Sequence, residues 1–501
     1  MARLYLFAIG GTGARVLKSL TFLLAAGVKP GGRNTYEIVP VIIDPHKSNE
    51  DLKRTERLLE DYEAITKAAG VDNGFFGTRI TTLKNLVSTD GRLTGSSFTC
   101  NLQQVAGKKF REYIDFSSLE PPTRALADIL FSGKTINKRH DEVDLLDIEM
   151  DIGFVGNPNI GSVVLNQFKD SEEFKEIASN FNADDRIFII SSIFGGTGAA
   201  GFPIILKNIR DAMSNAAIDG KGFLQNAKIG ALTVLPYFNV EKDADSPIQK
   251  SDFIAKTKAA LYYYKDNVTG NQSVNTMYYI ADTFSGKPYK NDPGDNGQKN
   301  SAHFIELASA LAIIDFLKIP DAELETVEGS ARRPVYKEFS ILNDAAEITF
   351  GDFEDYTSQL IGFPLSQFAL FRKYVNEQLD QSVEKEPWSL DKPLVDRQFL
   401  DDSFFRTHLS GFLSSWDDWL KEMAENRRAF APFNTGAGLD VLVKGKTVKT
   451  GWFTPKVNYP YYNGCLNKMA KGQKYPDAEQ KLLRLFFNTT AQMLTSRFGF
   501  K

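Results

Sequence analysis

The stretch RIFIISSIFGGTGAAGFP, residues 186–203, reads as a buried strand, a glycine turn and the opening of a helix. Arg186 to Ser192 is a continuous run rich in β-branched residues, the pattern of a strand covered on both faces in a parallel sheet. Gly195-Gly196-Thr197-Gly198 ends it, and a helix is predicted around Pro203 to Met213. A turn of this kind can hold an anion. Amides at a helix N-terminus point outward, glycine lets the backbone approach a phosphate without a Cβ, and Thr197 adds a hydroxyl.

The same arrangement opens the chain. Arg3 to Ile9 is an apolar strand that runs into Gly10-Gly11-Thr12-Gly13. Apolar residues at Val16, Leu17, Leu20, Leu23 and Leu24 then follow helical spacing. A second strand, Ile38 to Ile43, ends at Asp44-Pro45. Further strands are predicted at Lys228 to Leu235 and Thr276 to Ala281, with helices near 251–264 and over 300–317. Residues 46–145 are polar and mixed, with a charged helix from Lys47 to Ala69, and read as an insertion. Beyond about residue 320 the alternation gives way to helical, aromatic sequence containing Trp388, Trp416, Trp419 and Trp452. It closes with an amphipathic helix over 477–498 whose apolar stripe reads as core. Strand, helix and strand with a glycine turn between them predict an α/β nucleotide-binding fold with a parallel sheet over 1–320. A mostly helical C-terminal region over 321–501 follows. Two glycine turns in one sheet could close on one polyphosphate from opposite sides; the alternative is two unrelated tight turns.

Composition narrows the function. The 501 residues carry 59 Lys+Arg against 63 Asp+Glu, which is not the basic excess of a dedicated nucleic-acid binder. Two distant cysteines, Cys100 and Cys465, and four scattered histidines argue against a disulfide framework or a zinc centre and suit a reducing cytoplasm. No run of about 18 apolar residues occurs, so no transmembrane segment is expected and any membrane association must be peripheral. Gly10–Gly13 lacks the third glycine of the dinucleotide fingerprint and the Lys-Ser/Thr ending of a P-loop.

Five pieces in order resemble the tubulin/FtsZ superfamily over about 1–320. FAIGGTGARV is similar to its first phosphate loop, IIDP to the second, VGNPNIG to the third, FGGTGAAGFP to the signature loop and LPYFNVE to the fifth. Asn300 opens a long apolar helix where the family's central helix contacts guanine. The resemblance implies GTP or GDP with Mg²⁺ as ligands. It assigns Gly10, Gly11, Thr12, Gly13, Gly195, Gly196, Thr197 and Gly198 to the phosphates, and Gly156 with Asn157 to the γ-phosphate. Asp44 would go to the metal or its waters, Glu241 to the ribose and Asn300 to the base. Arg15 stands where the family has a guanine-contacting Asn, and a cation there would reach phosphate instead. Phe194, Ala199 and Ala200 also depart from the signature. Asp44 can equally make an Asx-turn before Pro45, and Asn300 can be a helix N-cap.

Hydrolysis in the family is completed by acids that one subunit offers to the next. Asp321 and Glu323 follow the central helix but are badly spaced, whereas Gly351-Asp352-Phe353-Glu354-Asp355 resembles the Asp-Phe-x-Asp motif. Asp352 and Asp355 are therefore the catalytic candidates; the alternative is a pair of first-turn acids complementing a helix dipole. Self-association with nucleotide is the implied mode of action, in a cytoskeletal, membrane-remodelling or defence role. A nucleotide-sensing scaffold with little hydrolysis is the other reading.

Overall fold

The computed structural model describes residues 1–31, 36–46, 49–70, 74–86, 98–136, 141–150, 153–154, 156–215, 218, 221–237, 250–282, 300–340, 346–426, 428–449, 451 and 454–500. The principal elements are β1 (Ala2–Ile9), α1 (Gly10–Ala25), β2 (Tyr36–Ile43), α2 (Glu50–Ala69), α3 (Pro158–Leu165), β3 (Arg186–Ser192), α4 (Gly196–Arg210), β4 (Lys228–Val234), α5 (Lys250–Tyr264), β5 (Thr276–Ala281), α6 (Phe304–Lys318) and β6 (Val335–Ser340). The C-terminal helices α7 (Asp355–Glu377), α8 (Ser410–Glu425), α9 (Tyr459–Ala470) and α10 (Ala478–Arg497) follow.

Six strands form one parallel sheet in the order β6-β5-β4-β3-β1-β2. Leu4 to Ile9 and the whole of β3 are buried, because helices cover both faces of the sheet. That is the α/β architecture expected from the continuous apolar runs. Ala8 lies between Ile42 on β2 and Ile190 on β3. The chain leaves β1 toward β2 on one side and returns as β3 on the other, so strand order reverses at β1/β3. In open α/β sheets the crevice above such a reversal, at the strands' carboxyl ends, is where ligands bind.

Two features add to the sequence reading. The sixth strand, β6, comes from beyond residue 320, so the sheet is completed by the segment expected to be helical. Its residues Tyr336, Lys337 and Glu338 belong to a partly exposed edge strand, which needs no apolar run. Secondly, α2 is a core helix although its segment reads as an insertion. Asn49 caps it by accepting from the Asp51 N–H, and Leu58, Leu59, Tyr62 and Ile65 are buried.

The C-terminal helices pack on α1 and α2 through aromatic rings. Phe22 on α1 meets Phe412, Trp416 and Trp419 with ring centroids 5.4, 5.6 and 5.1 Å away. The Trp419 indole N–H donates to the Ser19 hydroxyl at 3.2 Å. Leu482, Leu483, Leu485, Phe486 and Met493 on α10 are buried as core. Trp452 lies outside the described residues.

Candidate functional site

Each glycine turn brings a helix start onto the strand before it. After Ile9 the chain enters α1 at Gly10, with φ +71°. A Cβ on Gly13 would sit 2.6 Å from the Ala8 carbonyl carbon, so only glycine lets α1 press on its own strand. At the end of β3, a Cβ on Gly198 would sit 2.7 Å from the Ser192 carbonyl oxygen. The two turns then touch each other. The Cβ position of Gly10 is 3.6 Å from the Thr197 Cβ and 3.7 Å from the Gly198 amide nitrogen.

The third loop joins them. Gly156 has φ +69°, Asn157 occupies the N-cap position of α3, and Pro158 takes its first turn. A Cβ on Gly196 would be 3.0 Å from the Gly156 nitrogen and 3.2 Å from the Asn157 nitrogen. Thus the N-termini of α1, α4 and α3 converge above the β1/β3 reversal. Each helix start carries unpaired amides and a partial positive charge, so their fields add. Gly11, Gly195, Thr197, Gly156 and Asn157 are partly exposed there, while Gly10, Thr12, Gly13, Gly196 and Gly198 form the buried floor.

Arg15 is bound beneath this crevice. Its Nε donates to Glu306 Oε1 at 2.6 Å, Nη1 to Asp51 Oδ2 at 2.8 Å and Nη2 to the Tyr237 hydroxyl at 2.8 Å. Burial opposes the guanidinium charge, but Tyr237, Glu306 and Asp51 together hold its pKa well above the ordinary value. Most of its donors are thereby committed, although Nη1 lies only 3.5 Å from the Cβ position of Gly11. Asn300 belongs to the same cluster. Its backbone N–H and its side-chain amide both donate to Asp51, at 3.0 and 2.8 Å. The cap of α6 is instead His303, whose Nδ1 accepts from Ile305 N–H at 3.1 Å while Glu306 accepts from the His303 N–H at 3.2 Å.

Asp44 follows β2 at the same edge of the sheet. It accepts from the His46 N–H at 3.0 Å, which is the Asx-turn, and is 4% exposed. Burial pushes its carboxyl up to about 7, against the pull of that hydrogen bond and with a further rise from Asp51. Asp352 and Asp355 stand apart at the entry to α7. One Asp352 oxygen accepts from the Thr349 N–H at 2.7 Å and from its hydroxyl at 2.9 Å, and Asp355 is the first residue of the helix. Glu241 lies outside the described residues. Among the described residues no group of three or more His, Cys, Asp or Glu could hold a metal by itself, and no helix is long and apolar enough to cross a membrane.

Sequence reasoning missed three neighbours of the crevice: Asp51, Tyr237 and Lys256. Lys256 on α5 donates through Nζ to the Gly156 carbonyl at 2.7 Å. A His-x-x-Glu spacing at 303–306 does betray the cap; nothing local betrays the other contacts.

No protein-family model matches the chain, and no curated protein matches it. Solved structures that match include CetZ from Methanosaeta thermophila strain DSM 6194, at 12% identity and a TM-score of 0.30. The match covers 66% of this chain and 57% of that one, so the chain spans little more than half of that protein's length.

Proposed function

We propose that the chain binds a guanine nucleotide, GTP or GDP, with its phosphates in the crevice above β1 and β3, and that it is a Mg²⁺-dependent GTPase which assembles with nucleotide. One observation carries this reading: glycine turns 185 positions apart, at Gly10 and Gly195, belong to loops so close that a Cβ on Gly10 would stand 3.6 Å from the Thr197 Cβ and 3.7 Å from the Gly198 nitrogen. Gly11, Gly195, Thr197 and Gly156 are partly exposed there and suit a polyphosphate, since three helix N-termini favour negative charge there. The choice of guanine, and the assignment of Glu241 to the ribose and Asn300 to the base, rest on the collinear resemblance to the tubulin/FtsZ superfamily.

Asp44 fits a magnesium bound mainly by phosphate oxygens, the usual mode in which one carboxylate suffices. A buried carboxyl with a pKa pushed up to about 7 is costly to ionise alone. A divalent cation would supply the charge that favours its ionised form and would neutralise the phosphates. Asp352 and Asp355, offered by a second copy, would orient the water that attacks the terminal phosphorus as the bond to the leaving diphosphate breaks.

A scaffold that binds GTP with little hydrolysis is the second reading, and the commitment of Asp352 to Thr349 favours it. Denaturing the purified protein and chromatographing what it releases tests the ligand. Guanine nucleotide is expected, and NAD with no guanine nucleotide would overturn the proposal. Phosphate release per protein should rise with protein concentration if two copies complete the site. Asp352→Ala with Asp355→Ala should abolish turnover and leave binding intact; unchanged turnover removes those residues from the mechanism.

A further inference from the structure

The end of α8 reaches past α1 to the segment that leads into α6. Trp419, Glu422 and Asn426 are spaced by three and four and share one face of the helix and its end. Trp419 seats that face on α1 through Phe22 and Ser19. One turn further on, Glu422 Oε2 accepts from the Ala302 N–H at 2.9 Å, and the Asn426 side-chain amide donates to the Ala302 carbonyl. Both backbone groups of Ala302, which is 2% exposed, are thus held from the C-terminal region. Two residues beyond Asn426, Arg428 forks to Asp282, which follows β5, at 3.0 and 3.1 Å.

Glu422 is itself held in place. Its Oε1 accepts from Arg54 on α2, and Lys18 Nζ on α1 stands 3.5 Å from Oε2. Burial opposes its charge, but Lys18, Arg54 and the Ala302 N–H keep its pKa below the ordinary carboxylate value. An ionised acceptor binds a backbone N–H more strongly than a neutral one. Asn300 stands two residues before this clamp. Its backbone N–H and Nδ2 donate to Asp51, whose Oδ2 also accepts from Arg15 Nη1 beside Gly11. Asn300 is therefore one carboxylate away from the guanidinium on the first-loop side of the crevice. Only Ser301 separates the bonds to α2 from the bonds to α8, so the two helices together fix where Asn300 stands.

We propose that Glu422 is a positioning residue for the base end of the nucleotide site: through Ala302 it holds Asn300 in register with the phosphate crevice, so that the C-terminal region completes the site. This rests on the nucleotide reading above and on its assignment of Asn300 to the base. GTP and inorganic tripolyphosphate, titrated calorimetrically into the full chain, separate the base from the phosphates. Asn300→Ala should weaken GTP by roughly three- to tenfold, about the worth of one hydrogen bond, and leave tripolyphosphate unchanged. Glu422→Ala should reproduce that loss and that selectivity. Glu422→Gln, which keeps an acceptor for the Ala302 N–H, should recover most of it. Because Glu422 acts through Asn300, the two alanine substitutions combined should bind GTP no worse than Asn300→Ala alone. Should Glu422→Ala not fold, Asn426→Ala releases the other side of Ala302 and must show the same pattern. Wild-type GTP affinity in Glu422→Ala, alongside a loss in Asn300→Ala, would overturn the proposal. So would an equal loss of GTP and tripolyphosphate in Glu422→Ala, the mark of a general brace, or losses that add when the two are combined. Failure of the underlying reading looks different. Intact GTP affinity in Asn300→Ala removes the base assignment, and a wild-type protein that binds neither probe sinks the nucleotide reading itself.

Discussion

Protonation of one imidazole controls how α6 begins. His303 is buried, and its Nδ1 must stay unprotonated to accept the Ile305 N–H. Burial drives its pKa down to about 4, against the pull of Asp282 and with the nearby charges of Arg15 and Arg428 lowering it further. The folded pKa is thus depressed below the unfolded value. The stability it contributes is complete above about pH 6.5 and disappears as pH falls toward 4, because the unfolded chain takes up the proton first. Urea denaturation across pH 4–7 should therefore show a loss on the order of 2 kcal/mol that is missing in His303→Gln. An identical acid slope in the two proteins would refute the assignment. His303 was legible as a cap only from its spacing to Glu306, and the reading from sequence began the helix at Asn300, four residues before Phe304. The Arg15 cluster was not legible at all. Its partners lie 36, 222 and 291 positions away, and no local pattern encodes contacts at such separations.

Among the helices and strands, close approach decides which glycines are replaceable. Gly13 and Gly198 each bring a helix onto backbone atoms of the preceding strand, where nothing can yield. Gly11 instead faces the ends of Arg15 and Asn49 at 3.5 Å, an ordinary contact distance. Gly13→Ala should cost about 2–3 kcal/mol of stability, whereas Gly11→Ala should stay within about 1 kcal/mol. Chemical denaturation of both variants checks this, and equal costs would show that the α1–β1 contact is not the constraint. These glycines stood out in the sequence because each follows a continuous apolar strand, and the same contrast made β1 and β3 readable. β6 was invisible for the opposite reason: an edge strand keeps one side in water, and Tyr336, Lys337 and Glu338 look like loop.

At the scale of the molecule, the sheet and the C-terminal helices share a core through Phe22, Trp416 and Trp419. Tryptophan fluorescence and far-ultraviolet circular dichroism should consequently report one coincident unfolding transition. Trp416→Ala should shift both by about 3–5 kcal/mol. Two separated transitions would mean that the helical region stands apart energetically. The place of β1 within the sheet has a further consequence, for the order of events during synthesis. One of its flanks is served early by β2, but the other awaits β3; Arg3 donates to Asp185, 182 positions later. At roughly 5–20 residues per second, about 10–35 s separate the emergence of these segments from the ribosome. For that interval the nascent chain carries an apolar strand with one open side, and anything that shields it from other nascent chains raises the yield.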